Sequence, residues 1–200
     1  MLTRPLVLLA ALAALLALAP AAHAAVVTVR VEGRTQTIWG KAPQTVVADD
    51  ALAALRAASL RGEFFVDVRQ TSFGPYVSQI GRYPAGGLSG WVFKVNGASP
   101  PVGADQVRLR DGDTVLWYWA DFDASTFAGP ATLLLERTSA RCYAAFSQDD
   151  AGRRSPARDV RIWITGVPKG TAADGRFCVR GTRGLVHVTR AGAVRSNALR

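Results

Sequence analysis

Residues 90–122, GWVFKVNGASPPVGADQVRLRDGDTVLWYWADF, constrain the fold of this chain more than any other stretch. Residues 91–95 and 115–119 are dense in aromatic and β-branched side chains and read as strands. Asn96-Gly97 supplies a turn that tolerates positive φ, and Asp111-Gly112-Asp113 launches the second strand. Such a segment commits its surroundings to a sheet. It describes a folded module rather than a catalytic centre.

The first residues bear on compartment. Arg4 precedes an apolar run over 6–19 and then Ala22-His23-Ala24, a small-x-small cleavage pattern. The run is shorter than the ~20 apolar residues of a spanning helix, and no second hydrophobic span follows. The expectation is a signal peptide over 1–24, cleaved after Ala24. The product would be secreted or extracytoplasmic, with no transmembrane segment.

Charge divides the remainder. Residues 25–127 hold ten Lys or Arg against ten Asp or Glu, whereas 128–200 hold thirteen against five. The boundary falls at DASTFAGP, residues 123–130, a Ser-, Thr-, Gly- and Pro-containing linker between strand-like runs. The expected units are therefore 25–122 and 131–200.

In the first unit, VVTVRV at 26–31 reads as a strand, Glu32-Gly33-Arg34 as a turn and 35–47 as a broken second strand. Asp49 is the expected N-cap of a helix over 51–60, whose apolar face carries Leu52 and Leu55 and which ends at Arg61-Gly62. Strands follow. That order predicts an α+β unit, a β-grasp-like sheet wrapped on one helix.

Phe73-Gly74-Pro75-Tyr76-Val77 with Ile80, then Gly90-Trp91, Val95-Asn96-Gly97, Val102-Gly103-Ala104 and Asp111-Gly112-Asp113, resembles the transcobalamin-like C-terminal domain family, small β-grasp modules of unknown function. The resemblance spans 25–122. It implies a corrinoid, cobalamin or a relative, as a candidate ligand, bound and not used as a catalytic cofactor. The large helical domain with which vitamin B12 carriers share the corrinoid has no counterpart in these residues. The resemblance also implies ligand-binding roles for Phe73, Tyr76, Tyr83 and Trp91, which flank a Gly-containing loop at 85–90 where backbone can approach a flat ligand. Trp117 and Trp119 share one strand face and Leu116 and Tyr118 the other. Such a strand either lies between two covering layers or offers one face to a ligand.

The second unit reads as short strands at 132–136, 141–146, 160–165, 176–180, 185–189 and 194–199, with turn signals between them. No amphipathic helix interrupts the series. The expectation is all-β, an immunoglobulin-like sandwich similar to the small Ig-like domains of bacterial surface proteins. Cys142 and Cys178 are the only cysteines, and in an exported chain they are expected to form a disulfide bond.

Catalytic and metal chemistry find little support in the residues. Apart from His23 in the leader, His187 is the only histidine, and it alternates with Val186 and Val188 in a strand. No C-x-x-C spacing exists, and the paired carboxylates at Asp49-Asp50, Asp111/Asp113, Asp121/Asp123 and Asp149-Asp150 lie in turns or caps that favour them locally. No enzyme activity and no metal site are expected. The basic second unit, with Arg153, Arg154, Arg158, Arg161, Arg180 and Arg183, would attract an anionic envelope polymer or an acidic surface protein if these residues gather on one face. Nucleic acid is not an expected partner of an exported chain without a recognised motif. The overall expectation is a non-catalytic cell-envelope binding or interaction protein, with a small-ligand carrier as the alternative.

Overall fold

The computed structural model describes residues 24–181 and 184–200. The leader expected over 1–24 lies outside these residues except for Ala24, and so does Arg183. Strand β1 (Ala25–Glu32) is central in the first sheet. It pairs antiparallel with β3 (Thr45–Ala48) over residues 25–28 and with β2 (Thr37–Trp39) over Val31 and Glu32, where the register shifts by a bulge. Its second edge runs parallel to β8 (Thr114–Asp121), from Thr28 opposite Thr114 to Glu32 opposite Tyr118. Strand β7 (Ser89–Val95) closes the sheet antiparallel to β8. At the end of β7, Asn96 (φ 52°) and Gly97 (φ 87°) make the expected tight turn.

Helix α1 (Ala51–Gly62) packs on one face of this sheet. Its buried residues, Ala51, Leu52, Ala54, Leu55 and Ala58, follow the three-and-four spacing of one helix face. The cap is Asp50 and not Asp49. Asp50 Oδ1 accepts from the Ala53 N–H at 2.7 Å, while the Asp49 carbonyl is taken by the Leu109 N–H at 3.0 Å. The helix ends as Glu63 enters the left-handed region at φ 52°.

The expected fold class does not hold. Instead of a β-grasp unit followed by an immunoglobulin-like sandwich, the chain is mostly β, with one helix and four small sheets among the described residues. Residues 64–88 do not extend the first sheet. Strands β4 (Val66–Thr71), β5 (Gly74–Ile80) and β6 (Tyr83–Pro84) form a three-stranded sheet of their own. The tight turn at Gly81 (φ 57°) folds β6 back on β5, so these strands pair with one another. Beyond residue 130, β9 (Ala131–Ser139), β10 (Cys142–Gln148), β11 (Arg154–Pro156), β14 (Arg176–Cys178) and β16 (Ala193–Val194) share one sheet. A separate three-stranded sheet holds β12 (Val160–Ile164), β13 (Val167–Ala172) and β15 (Val186–Thr189). Strand β16 lies parallel to β9, unlike the antiparallel pairing that the sandwich expectation requires.

Two apolar cores result. One joins β1, α1, β8 and Trp91, and the other joins Leu133, Leu135, Tyr143, Val160, Ile162, Val186 and Val188. A smaller cluster of Tyr118, Ala120 and Val194 covers the face of β8 opposite the helix. Strand β8 is thus packed on both faces, Trp117 toward α1 and Tyr118 toward the residues beyond 130. Cys142 and Cys178 are register partners on β10 and β14 and form a disulfide.

Candidate ligand-binding site

The four aromatics expected at a ligand site occupy different environments. Phe73 is 96% exposed at the tip of the β4–β5 hairpin. Its turn is fastened by Thr71, whose hydroxyl donates to the Gly74 carbonyl (2.7 Å) and accepts from the Phe73 N–H (3.2 Å). A phenyl ring there gains nothing from folding, because no core receives it. Tyr76, two residues into β5 from Gly74, is 45% exposed. It borders an apolar groove of about 360 Å³, together with Trp91, Phe93, Trp117, Tyr118 and Phe122. Phe93 and Trp117 stack at 5.0 Å between ring centroids and stiffen its floor.

Trp91 is only 5% exposed and belongs to the core. Its Nε1–H donates to the Tyr83 carbonyl at 2.9 Å. Tyr83 is half-buried, packed against Trp91 at 6.4 Å and Trp119 at 6.0 Å. Its hydroxyl lies 2.9 Å from Thr35 Oγ1 and accepts from Arg82 at 3.2 Å. The structure therefore brings Tyr76 and Trp91 to one groove, sets Phe73 at the tip of the adjoining hairpin, and places Tyr83 away from it.

A second concavity, about 520 Å³, lies at the end of the first sheet, between the turn after β1 and the segment from Thr189 to Arg195. Trp119 forms part of its wall. The indole is held by an edge contact with Trp91 at 5.6 Å and by donating to Asp121 Oδ1 at 2.9 Å. Hydrogen bonds from Ser89 and Trp119, with Arg34 close by, hold Asp121 below the usual carboxylate range. Glu32 is buried here and accepts from the Thr37 hydroxyl at 2.8 Å. It pairs with both Arg30 (3.2 Å) and Arg195 (3.5 Å). Burial pushes both guanidinium groups down from their ordinary value, and Glu32 opposes it. Nothing in the sequence could have joined Glu32 to Arg195, which lie at opposite ends of the chain. Trp119 carried a local signal in its strand alternation.

The basic residues spread over two sheets. Arg153 and Arg154 flank β10 and β11 and pair with Asp149 and Glu136, respectively. Arg161 is exposed on β12, and Arg158 and Arg180 are exposed on connecting segments. Among the described residues, no group of three or more His, Cys, Asp or Glu side chains could hold a metal ion. His187 stacks flat on Trp163, with centroids 6.0 Å apart. Burial, reinforced by Arg195 and Arg30, pushes its imidazole down to about 4.

Comparison with known proteins places part of the chain. Residues 49–121, from the residue before the helix cap to the end of β8, match a family described as a domain of unknown function (DUF4430). No curated protein matches the chain. Among solved structures, it is similar to haptocorrin in complex with Cbi, at 19% identity and a TM-score of 0.44. That similarity covers 50% of this chain and 25% of the haptocorrin chain. It is also similar to a protein from Ruminococcus gnavus ATCC 29149 provisionally described as metal binding, at 18% identity and a TM-score of 0.39. There it covers 50% of this chain and 99% of the other. The chain thus spans a quarter of the haptocorrin length. The resemblance read over 25–122 is met in part, by the DUF4430 match over residues 49–121.

Proposed function

We propose that the protein is an exported, non-catalytic binding protein whose ligand rests on the apolar groove beside the β4–β5 hairpin. The observation that carries this reading is the exposure of Phe73 and Tyr76 next to a groove lined with further aromatics. A module that used these residues only for packing would bury them. The groove lies within the volume range of small-molecule sites and is open on one side, which suits a ligand that offers a flat or apolar face. A corrinoid, with or without its lower nucleotide, is the candidate implied by the sequence motifs. Export is supported by the leader pattern and by the Cys142–Cys178 disulfide, which belongs to an oxidising compartment.

A second reading, contact with an anionic envelope polymer, is favoured by the exposed arginines beyond residue 130. Their engagement with Asp149 and Glu136 weakens it, since two of the positive charges are already paired.

Titration of the mature chain with hydroxocobalamin and with cobinamide, followed by tryptophan fluorescence and calorimetry, tests the first reading. Saturable binding at micromolar or tighter, weakened by Phe73→Ala and Tyr76→Ala, is the expected result. Absence of binding at about 100 μM would remove corrinoids as the ligand.

A further inference from the structure

The concavity walled by Trp119 shares no lining residue with the aromatic groove. Its charge does not balance. Arg30 and Arg195 both pair with one oxygen of Glu32, and the other oxygen is occupied by the Thr37 hydroxyl. Among the described residues, no other carboxylate pairs with either arginine, so this buried cluster carries one net positive charge. Backbone carbonyls compensate in part: Arg195 donates to Ser196 (2.6 Å) and Lys41 (3.1 Å), and Arg30 donates to the Arg195 carbonyl. Carbonyl dipoles soften the cost of burying a guanidinium but do not neutralise it. Nearby His187 adds no charge near neutral pH, and it also supplies no negative group.

Arg195 is the member of this cluster's arginine pair that faces the cleft. At the rim, Arg34 pairs with Asp121 at 3.5 Å, both more than half exposed, and contributes no net charge. The cleft therefore presents a positive field from two guanidinium groups and one carboxylate. A carboxylate suits the guanidinium fork better than a spherical anion does.

The other lining groups narrow the ligand further. Thr35, Thr37 and Thr189 line it with hydroxyls that engage Tyr83, Glu32 and Trp163, respectively, and each keeps further hydrogen-bonding capacity, while Asp121 offers an acceptor at the rim and Trp119 a fixed indole. Pro130, Ala193 and Val194 extend the apolar surface beside the indole. An aromatic surface beside hydroxyls and charged groups fits a ring with C–H bonds on one face and hydroxyls around its edge. We infer that this cleft binds an acidic sugar residue, its carboxylate on Arg195, its apolar face on Trp119 and its hydroxyls on the threonines. The inference is independent of the groove reading, because the two sites have no residue in common.

The test is calorimetric titration of the mature chain with oligogalacturonate, a neutral galactose oligomer and inorganic phosphate, at low and physiological salt. Oligogalacturonate is expected to bind saturably, the neutral oligomer about tenfold or more weaker, with affinity falling as salt rises. Arg34→Gln, which leaves the Asp121 carboxylate unpaired at the rim and repelling the ligand, is expected to weaken oligogalacturonate about threefold, and Arg195→Lys, which keeps the charge but loses the fork, about tenfold. Phe73→Ala is expected to leave this binding unchanged. No saturable binding, equal binding of the neutral oligomer, or phosphate binding as tightly as the uronate would each overturn the assignment. So would unchanged affinity in Arg34→Gln, which decides the matter if circular dichroism shows that Arg195→Lys does not fold.

Discussion

Lys94 Nζ lies 3.4 Å from Asp150 Oδ1, and its side chain has no solvent exposure while that of Asp150 is 68% exposed. The ammonium also donates to the Asp149 carbonyl at 2.8 Å and to Thr132 Oγ1 at 3.3 Å. A charge from strand β7 is thus held by polar groups beyond residue 130 and lies over the Tyr118 ring, 6.0 Å from its centroid. Burial pushes the Lys94 ammonium below the usual lysine range, with Asp150 opposing, and pushes the neighbouring Tyr118 phenol up.

Removing either end of that pair has unequal consequences. Asp150→Asn is expected to cost about 1–2 kcal/mol, less than the 3–5 of a fully buried pair, because water already screens the carboxylate. Lys94→Met keeps the volume and removes the desolvation cost, so it is expected to stay within about 1 kcal/mol of the parent. Lys94→Ala leaves a cavity and should lose about 2 kcal/mol or more. Urea denaturation of the three variants orders them.

Stability is expected to decline as pH falls through the range from about 6.5 to about 4. His187 has its folded value pushed down to about 4, so in that window the unfolded chain binds the proton and the folded chain does not. The decline should be about 1–2 kcal/mol after allowance for partial exposure. Asp121, Asp149 and Asp67 are also held low, but their contributions fade below that window. Denaturation midpoints at intervals of pH, for the parent and for His187→Gln, check it: the variant should lose the slope between 4 and 6.5.

Phe73→Ser is expected to leave stability unchanged, since the ring touches no core. Trp91→Ala should cost about 3–5 kcal/mol, as for other large core truncations. Thermal melts of the pair separate the exposed aromatic from the structural one. If Phe73→Ser were to destabilise the fold as much as Trp91→Ala, the hairpin tip would be a packing element and the groove reading would lose its chief support.

Replacing both Cys142 and Cys178 by Ser should cost about 4 kcal/mol, the chain-entropy value for bridging 36 residues. Guanidinium denaturation with and without reductant measures the loss in the parent and should show none in the variant.

Gly175 sits at φ 76°, and a Cβ there would lie 2.1 Å from the Ala157 carbonyl oxygen. Gly175→Ala is therefore expected to cost about 2–4 kcal/mol, combining backbone strain with a collision against main chain that cannot rotate away. Gly192→Ala, with comparable φ and open space around it, should cost about 1 kcal/mol. Paired melting curves distinguish collision from strain.

What the sequence made legible was local. The helix face, the Asn96-Gly97 turn, the strands around Trp91 and Trp117, and the disulfide all follow from alternation, turn chemistry or counting. Strand β11 and strand β13 escaped notice because both are almost wholly exposed and carry Pro and charge in place of an apolar alternation. The separate sheet of β4, β5 and β6 is not legible in the sequence, because strand propensity does not say which strands pair. The exposure of Phe73 and Tyr76 could not be read from their identity, since the same residues serve cores equally well. The Glu32, Arg30 and Arg195 cluster was invisible for a different reason: it is made by tertiary contact alone.

The parallel pairing of β1 with β8 has a kinetic corollary. Residues 28–32 cannot complete their sheet until residues 114–118 are present, and Arg195 near the other end of the chain must return to Glu32. Loop closures of that span are entropically slow, so the pairing of β1 with β8 should be a late step in forming the first sheet. Until residues 114–118 have been made, one edge of β1 stays unpaired, and a nascent chain in that state remains threadable.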